Sequence, residues 1–209
     1  MAPMATYDAL AVAVYRALID PLVWPLRQKV VRLCRELDAR TVLDIASATG
    51  AQCRLLARAG TNATGVDLSR EMIASARRRG GRNVRYVCGS AFDLPFERGS
   101  FDASLLLLAL HEHGKEERAR MLAEALRVVS PGGHLVIADY TRPEPPRFNI
   151  PWQTIRLIEG LAGPQHRAGF RDFVARGGLV GLLERHGLAP TGQGRSHAGA
   201  IGIAVIRME

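Results

Sequence analysis

The sequence predicts an α/β fold: a Rossmann-like, doubly wound sheet that is mostly parallel, with helices on both faces and an antiparallel hairpin at its C-terminal end. Short apolar or β-branched runs alternate with segments of helical spacing through most of the chain. The run Phe101–Leu107 is almost continuously apolar, which is typical of a strand covered on both faces. Parallel neighbouring strands need crossover connections, and the helical segments between the runs provide them.

The elements follow one another in a regular order. Before the sheet we expect two amphipathic helices, Ala5–Ile19 and Pro25–Leu37, and we expect Pro21 to stop the first of them. Five strands are predicted at Thr41–Ile45, Ala63–Asp67, Val84–Cys88, Phe101–Leu107 and His134–Ala138. The helices between them are predicted at Gln52–Arg58, Glu71–Arg79 (with Ser69 as its N-cap) and Glu116–Val129. A turn at Pro131-Gly132-Gly133 is predicted to lead into the fifth strand.

The pattern changes after Asp139. Four prolines cluster in Thr141–Pro151, which predicts an extended loop. Helices are then predicted at Trp152–Leu161, Phe170–Arg176 and Leu179–His186. The last two runs, Thr191–Gly194 and Ala200–Arg207, predict an antiparallel hairpin that completes the sheet edge. The chain contains no internal repeat, so we expect a single domain over residues 1–209.

The charge of the chain raises the question of a nucleic-acid or membrane partner. The formal net charge is +8, but nearly all of the basic residues are arginines and most of them are scattered. No RNP-type aromatic pattern or zinc-finger spacing accompanies them, so we expect no nucleic acid as a partner. The short apolar run Leu22-Val23-Trp24 lies near Arg27 and Lys29 and indicates, at most, peripheral membrane contact.

The cysteines and the N-terminus favour an intracellular protein without a metal. Cys34, Cys53 and Cys88 lack CxxC spacing, which argues against a disulfide framework and a zinc site. Adjacent side chains on an extended chain point apart, so His111, Glu112 and His113 do not predict a metal site either. The N-terminus lacks the basic and apolar regions of a secretory signal, and a cytoplasmic location is expected.

Polar and small residues follow the ends of the predicted strands. Because open α/β sheets bind ligands at the carboxyl ends of their strands, we expect these residues to face one crevice. The first strand is followed by small residues, which allow a ligand to approach the backbone closely. Asp67 ends the second strand, where a carboxylate can accept hydrogen bonds from both hydroxyls of a ribose. An acid there opposes a 2′-phosphate and argues against NADP.

Five stretches of the sequence carry a family resemblance. Residues 42–50 (VLDIASATG) resemble the first motif of class I S-adenosylmethionine-dependent methyltransferases, and residues 65–69 (GVDLS) resemble the second. Residues 89–96 resemble the adenine-contacting stretch, residues 101–103 the start of the fourth strand, and residues 126–135 the run before the fifth strand. The chain is most similar to the methyltransferases of ubiquinone and menaquinone biosynthesis, and helical tyrosines ahead of the first motif (Tyr7, Tyr15) fit that group.

The resemblance implies S-adenosylmethionine as the cofactor and a small-molecule or lipid-like methyl acceptor. It implies a helical lid over residues 1–40, a cofactor-binding core over 41–140, a helical substrate-side insertion over 141–188 and a closing hairpin over 189–209. The methionyl end of the cofactor is then expected at Asp44, Ala46, Ser47, Ala48 and Gly50. The ribose is expected at Asp67, the adenine at Leu68, Ser90 and Ala91, and a further cofactor contact at Leu107. The sequence departs from the family pattern at Ala46 and Ala48, which replace glycines, and at Ser90, which replaces an acid.

Methyl transfer is an in-line displacement at a sulfonium, so the chain needs to align the acceptor and remove its proton where it has one. His111 follows the fourth strand and is the candidate for a direct catalytic role, since histidine titrates near neutral pH. The alternative is that His111 only caps the end of the fourth strand and has no direct role in catalysis. Two other functions remain open: a non-catalytic or cofactor-impaired binding protein, and an NAD-dependent oxidoreductase, although the chain lacks that family's glycine fingerprint and any Tyr-x-x-x-Lys pair.

Overall fold

The computed structural model describes residues 9–143, 149–161 and 163–209. The chain forms two compact units, residues 1–95 and 96–209, and the described residues contain seven strands. The strands are β1 Thr41–Ile45, β2 Asn62–Asp67, β3 Val84–Cys88, β4 Phe101–Leu107, β5 Val129–Tyr140, β6 Gly192–Ser196 and β7 Ile201–Arg207. The predicted α/β fold, mostly parallel with a C-terminal antiparallel hairpin, is confirmed.

Helices connect the strands in both units. The first unit contains α1 Ala9–Val14, a π-helical turn Tyr15–Ile19, α2 Asp20–Leu22, α3 Trp24–Glu36, α4 Ala51–Arg58 and α5 Arg70–Arg79. The second unit contains a 3-10 turn Leu110–Glu112, α6 Lys115–Arg127, α7 Ile150–Leu161, α8 Pro164–Ala175, α9 Gly178–Arg185 and a 3-10 turn His197–Gly199. None of the helices in the described ranges is long and apolar enough to span a bilayer.

The first unit has three parallel strands in the order β3-β2-β1. Their register brings Ile45 beside Val66 and Asp67 beside Cys88, so the carboxyl ends of β1 and β2 are adjacent. The predicted N-cap of α5 is confirmed, because Ser69 Oγ accepts a hydrogen bond from the Met72 amide at 3.1 Å. This arrangement gathers the residues that follow β1 and β2 at one edge of the unit.

The second unit has four strands in the order β4-β5-β7-β6. β4 and β5 are parallel, whereas β7 pairs antiparallel with both β5 and β6. The three helices predicted after β5 are present as α7, α8 and α9, which we call the insertion, and α8 packs on the 3-10 turn that follows β4. The insertion therefore covers the carboxyl end of β4.

Two local predictions are wrong. Pro21 does not stop the first helical segment, which continues to Leu22 and breaks at Val23. A proline ring clashes with the carbonyl four residues earlier in a regular helix, and the π-helical turn Tyr15–Ile19 just before Pro21 changes that spacing. The start of the predicted helix, including Tyr7, lies outside the described residues.

The other correction concerns Pro131-Gly132-Gly133, which belongs to β5 rather than to a separate turn. The pairing of β4 with β5 jumps from Phe101–Val129 to Ala103–His134, so the extra residues form an irregularity within the strand. Gly132 takes a φ of 78°, which a glycine adopts without a steric penalty.

Gly169 of α8 is expected to be intolerant of a side chain. A Cβ there would lie 2.5 Å from the carbonyl oxygen of Glu112 and 2.8 Å from that of His111. Gly169→Ala should lower the free energy of unfolding by about 1–3 kcal/mol, because neither backbone can move without disturbing the other. The matched control is Gly160→Ala in α7, where a Cβ meets nothing within 4 Å. This variant should be slightly more stable than the wild type, because alanine has a higher helix propensity than glycine. Equal effects in denaturant titrations of the two variants would contradict this packing.

Candidate active site

The loop after β1 has a left-handed backbone at alternate positions. Ala46 has a φ of 58°, Ala48 a φ of 46° and Gly50 a φ of 70°. This region costs an L-residue about 1–2 kcal/mol, so two alanines held there store strain. The family's glycines at these positions would relieve that strain, but the loop conformation survives their replacement.

Gly50 itself is confined by Tyr86. A Cβ at Gly50 would lie 2.4 Å from the Tyr86 ring, and Tyr86 Oη donates a hydrogen bond to the Gly50 carbonyl at 3.2 Å. The loop also contacts the N-terminal helices, because Thr49 Oγ1 donates to Asp20 Oδ2 at 2.8 Å. Asp20 in turn pairs with Arg27 at 2.8 Å. The loop is thus fixed from both sides before any ligand binds.

Asp67 links the ends of β1 and β2. Its Oδ2 accepts a hydrogen bond from the Ala48 amide at 2.8 Å, and its Oδ1 accepts one from the Ser69 amide at 2.9 Å. The Ser47 amide adds a bond to the Val66 carbonyl at 2.9 Å. These two amides orient the Asp67 carboxylate, whose oxygens each have two lone pairs and can accept more than one hydrogen bond.

Gly65 and Ser47 meet beneath the loop. A Cβ at Gly65 would lie 2.7 Å from Ser47 Oγ, so only glycine lets the loop settle onto β2. Ser47 is buried, and its Oγ has no hydrogen-bond partner among the described residues. Its contact with Gly65 places this hydroxyl on the β2 side of the loop.

Asp44 is buried within the first unit. Burial raises its pKa from 3.8 to about 6, opposed by the charge of Arg27 and by a hydrogen bond that Cys53 Sγ donates to Asp44 Oδ2 at 3.5 Å. Burial and the nearby Asp44 also raise the pKa of Cys53 well above its usual value. Cys53 is therefore a neutral, buried thiol.

We expect Asp44→Asn to change how stability depends on pH. Because the folded chain holds the Asp44 proton more tightly than the unfolded chain, this group's stabilisation is complete below pH 3.8 and is lost as the pH rises through about 6. The variant has no such titration. Its Tm minus that of the wild type should therefore increase from about pH 4 to about pH 6 and level off above that range. A difference that stays constant across this range would contradict the raised pKa.

The expected adenine contacts lie near the ends of β2 and β3. Leu68 is 42% exposed directly after Asp67, so an apolar surface is available there. Ser90 and Ala91 are partly exposed. Ser90 Oγ accepts a hydrogen bond from the Phe92 amide at 3.1 Å, which engages its oxygen in the local turn. Ser90 can still donate a hydrogen bond from its hydroxyl group to an adenine ring.

An open cleft of about 550 Å³ lies in the first unit beside the start of α4. Trp24, which is 46% exposed, lines it together with three arginines, Arg16, Arg54 and Arg79. The Trp24 side chain is therefore accessible to a ligand or to solvent in this cleft.

His111 and Leu107 belong to the second unit. Leu107 is the last residue of β4 and is partly exposed. His111 is 2% exposed, and its Nδ1 contacts Asp139 Oδ1 at 2.9 Å. Asp139 also accepts hydrogen bonds from the Leu110 amide at 3.0 Å and the Tyr140 amide at 2.8 Å. Asp139 thus fixes both the ring of His111 and the backbone after β4.

Three further polar side chains surround His111. Its Nε2 lies 3.6 Å from Glu159 Oε1, and Tyr140 Oη donates a hydrogen bond to the same oxygen at 2.7 Å. His166 Nε2 contacts the other oxygen of Glu159. Burial lowers the pKa of His111. The charge of Asp139 and its hydrogen bond to the ring, together with the charges of Glu159 and Glu112, outweigh burial and raise this pKa to about 9. We call His111, Asp139, Glu159, His166 and Tyr140 the histidine cluster.

A buried arginine joins the insertion to the end of β4. The guanidinium of Arg118, 2% exposed as a residue, donates to the Leu110 carbonyl at 3.0 Å, the Gly169 carbonyl at 2.8 Å and Asp172 Oδ2 at 2.7 Å. It also lies 5.0 Å above the Phe173 ring.

The sequence did not single out Asp139, Glu159 or Arg118 as functional residues. Asp139 carried a usable signal, since it follows a predicted strand at the edge where ligands bind. Glu159 is the one acid of α7, and only the structure shows that it faces His111.

Comparisons with known proteins find that this chain is similar to methyltransferases. A family model described as "Methyltransferase domain" matches residues 43–137. A demethylmenaquinone methyltransferase of Tropheryma whipplei (strain Twist) is 37% identical over 118 residues, which cover 56% of this chain and 47% of that protein. The chain thus spans about half the length of this curated relative.

Solved structures share the fold. An O-methyltransferase family protein from Burkholderia thailandensis superposes with a TM-score of 0.73 at 21% identity, over 97% of this chain and 61% of that one. Magnesium protoporphyrin IX methyltransferase from Synechocystis PCC 6803, with bound S-adenosylhomocysteine (SAH), gives a TM-score of 0.65 at 15% identity, over 99% and 90%. Residues 43–137 of this chain are thus similar to the methyltransferase domain family, and the solved structures show that the fold is shared.

Proposed function

We propose that this protein transfers a methyl group from S-adenosylmethionine to a small-molecule or lipid-like acceptor. One observation carries the proposal: Asp67 is oriented by the Ala48 and Ser69 amides at the joined ends of β1 and β2, with the exposed Leu68 beside it. An oriented carboxylate next to an apolar side chain suits a ribose joined to a flat base. The methyltransferase domain match over residues 43–137 supports the same conclusion.

The residues present fit the cofactor. Asp67 would hold the two ribose hydroxyls, Leu68 one face of the adenine, and Ser90 and Ala91 its edge. The left-handed loop Ala46–Gly50 would bring its backbone close to the methionyl end, with Asp44 at the end of the strand that leads into this loop. The bound cofactor supplies an activated methyl group on sulfonium sulfur. The chain's contribution is to bind and align the partners and to exclude water, which is sufficient for an in-line displacement.

The acceptor is proposed to be an aromatic hydroxyl compound of the quinol type. The support is the likeness to demethylmenaquinone methyltransferase. We further propose a cytoplasmic location and at most peripheral contact with a membrane. Because the arginines are scattered, we propose no nucleic-acid partner.

For His111 we propose a positioning role on the acceptor side. A residue that is 2% exposed and fixed by Asp139 does not meet an acceptor directly. It shapes the end of β4, where Leu107 is partly exposed.

Ligand-dependent melting tests the proposal. SAH should raise Tm, by about 5 °C or more at 100 times its Kd, because it binds only the folded chain. NAD⁺ should leave Tm unchanged, since the loop lacks the glycines of a dinucleotide site. Methyl-labelled S-adenosylmethionine should then transfer label to a prenylated hydroquinone. No Tm shift with SAH for a folded chain, or a shift with NAD⁺ instead, would contradict the proposal.

A further inference from the structure

The histidine cluster has the atoms of a metal site. His111, Glu159 and His166 each offer one ligand atom, and these atoms lie within 4.8 Å of one another. His111 Nε2 is 3.6 Å from Glu159 Oε1, and His166 Nε2 contacts Glu159 Oε2. A tetrahedral zinc ion with ligands at about 2.0–2.2 Å requires ligand atoms about 3.4 Å apart. Small side-chain rotations therefore bring the set to that spacing.

Both imidazole rings are oriented in the way that metal ligands usually are. The Nδ1 atom of His111 lies 2.9 Å from Asp139 Oδ1, and the Nδ1 atom of His166 lies 3.8 Å from Glu112 Oε2. Each ring therefore has a carboxylate on its Nδ1 side and its Nε2 atom toward Glu159. Metal-bound histidines commonly donate the other ring N–H to a carboxylate, which fixes the tautomer and raises ligand basicity.

The charges also fit a divalent ion. Asp139 is 0% exposed and Glu159 is 5% exposed, so two carboxylates are buried together. Buried charges need compensation. Two imidazolium protons or one divalent cation between neutral imidazoles provide the same compensation.

We propose that His111 Nε2, Glu159 and His166 Nε2 bind one divalent ion of the zinc class. Two imidazoles and one carboxylate are ligands that this class prefers. The Tyr140 hydroxyl, 2.7 Å from Glu159 Oε1, supports the carboxylate. Such an ion ties the 3-10 turn after β4 to α7 and α8, so it holds the helical insertion on the end of that strand.

Titration with Zn²⁺ alone tests the site on the full chain after chelator treatment and removal of the chelator. Calorimetry should show one ion per chain, and Zn²⁺ should raise Tm. His166→Ala should weaken Zn²⁺ binding by about 100-fold or more, since it removes a ligand from a partly exposed position. His113→Ala is the control, because this neighbouring histidine is outside the set and should leave Zn²⁺ affinity unchanged.

Glu159→Gln is the second variant, and it should also lose high-affinity binding. Co²⁺ should give the visible absorption of a tetrahedral complex in the wild type and in His113→Ala only. Saturable binding that survives both His166→Ala and Glu159→Gln, or the absence of binding to the folded wild type, would overturn the proposal. SAH binding measured on the same samples separates this result from the proposed function, because the cofactor residues Asp44 to Ala91 are not altered.

Discussion

Asp67→Ala is expected to weaken SAH binding by about 100-fold or more. Two hydrogen bonds from ribose hydroxyls to a charged carboxylate contribute about 1.5–3 kcal/mol each, and about 1.4 kcal/mol corresponds to a tenfold change in Kd. The variant also loses the acceptor of the Ala48 amide, which loosens the loop. Isothermal titration calorimetry with SAH measures the change.

The control for this prediction is Glu97→Ala, which removes an exposed acid of the second unit. It should leave the Kd for SAH unchanged, and circular dichroism should show both variants folded. An Asp67→Ala protein that binds SAH as tightly as the wild type would place the ribose elsewhere.

Arg118→Ala is expected to produce the largest loss of stability. The side chain is buried, and its removal leaves the Leu110 and Gly169 carbonyls without their donor. Each of these carbonyls costs about 1–3 kcal/mol when it loses its donor, so for a chain of this size the two together lower Tm by about 10 °C. Thermal denaturation followed by circular dichroism measures the shift.

Arg176→Ala provides a matched comparison, since Arg176 bonds to the same carboxylate at 2.7 Å from the exposed side. Solvent screens this pair, so the decrease in Tm should be far smaller. Similar decreases for the two variants would show that the Arg118 network does not stabilise the insertion as its burial implies.

Strands and helices with a clear local signal were predicted closely from the sequence. β4 has the predicted bounds because a short, nearly unbroken apolar run between polar segments is typical of a strand that is covered on both faces. α5 begins at its predicted cap because Ser69 satisfies an end amide of the helix locally. The bulge in β5 was not predicted, because Pro131-Gly132-Gly133 has the composition of a turn and only pairing with β4 shows otherwise.

One part of the candidate site could likewise be predicted from the sequence, and another part could not. The two strand ends that meet at Asp67 were predicted because the order of a parallel sheet fixes where carboxyl ends lie. The contact of Asp67 with Ala48 spans 19 residues within one predicted βαβ unit. The histidine cluster joins His111, Asp139, Glu159 and His166 from four separate segments, whose packing no local pattern specifies. Its composition was therefore visible only in the folded chain.

The most direct test of the central claim is a crystal structure of the complex with SAH. The ribose hydroxyls should lie within hydrogen-bond distance of the Asp67 carboxylate, with the adenine against Leu68 and the methionyl end over the loop Ala46–Gly50. A ribose bound away from Asp67, or no SAH in crystals grown at saturating ligand, would contradict a cofactor site at the joined ends of β1 and β2.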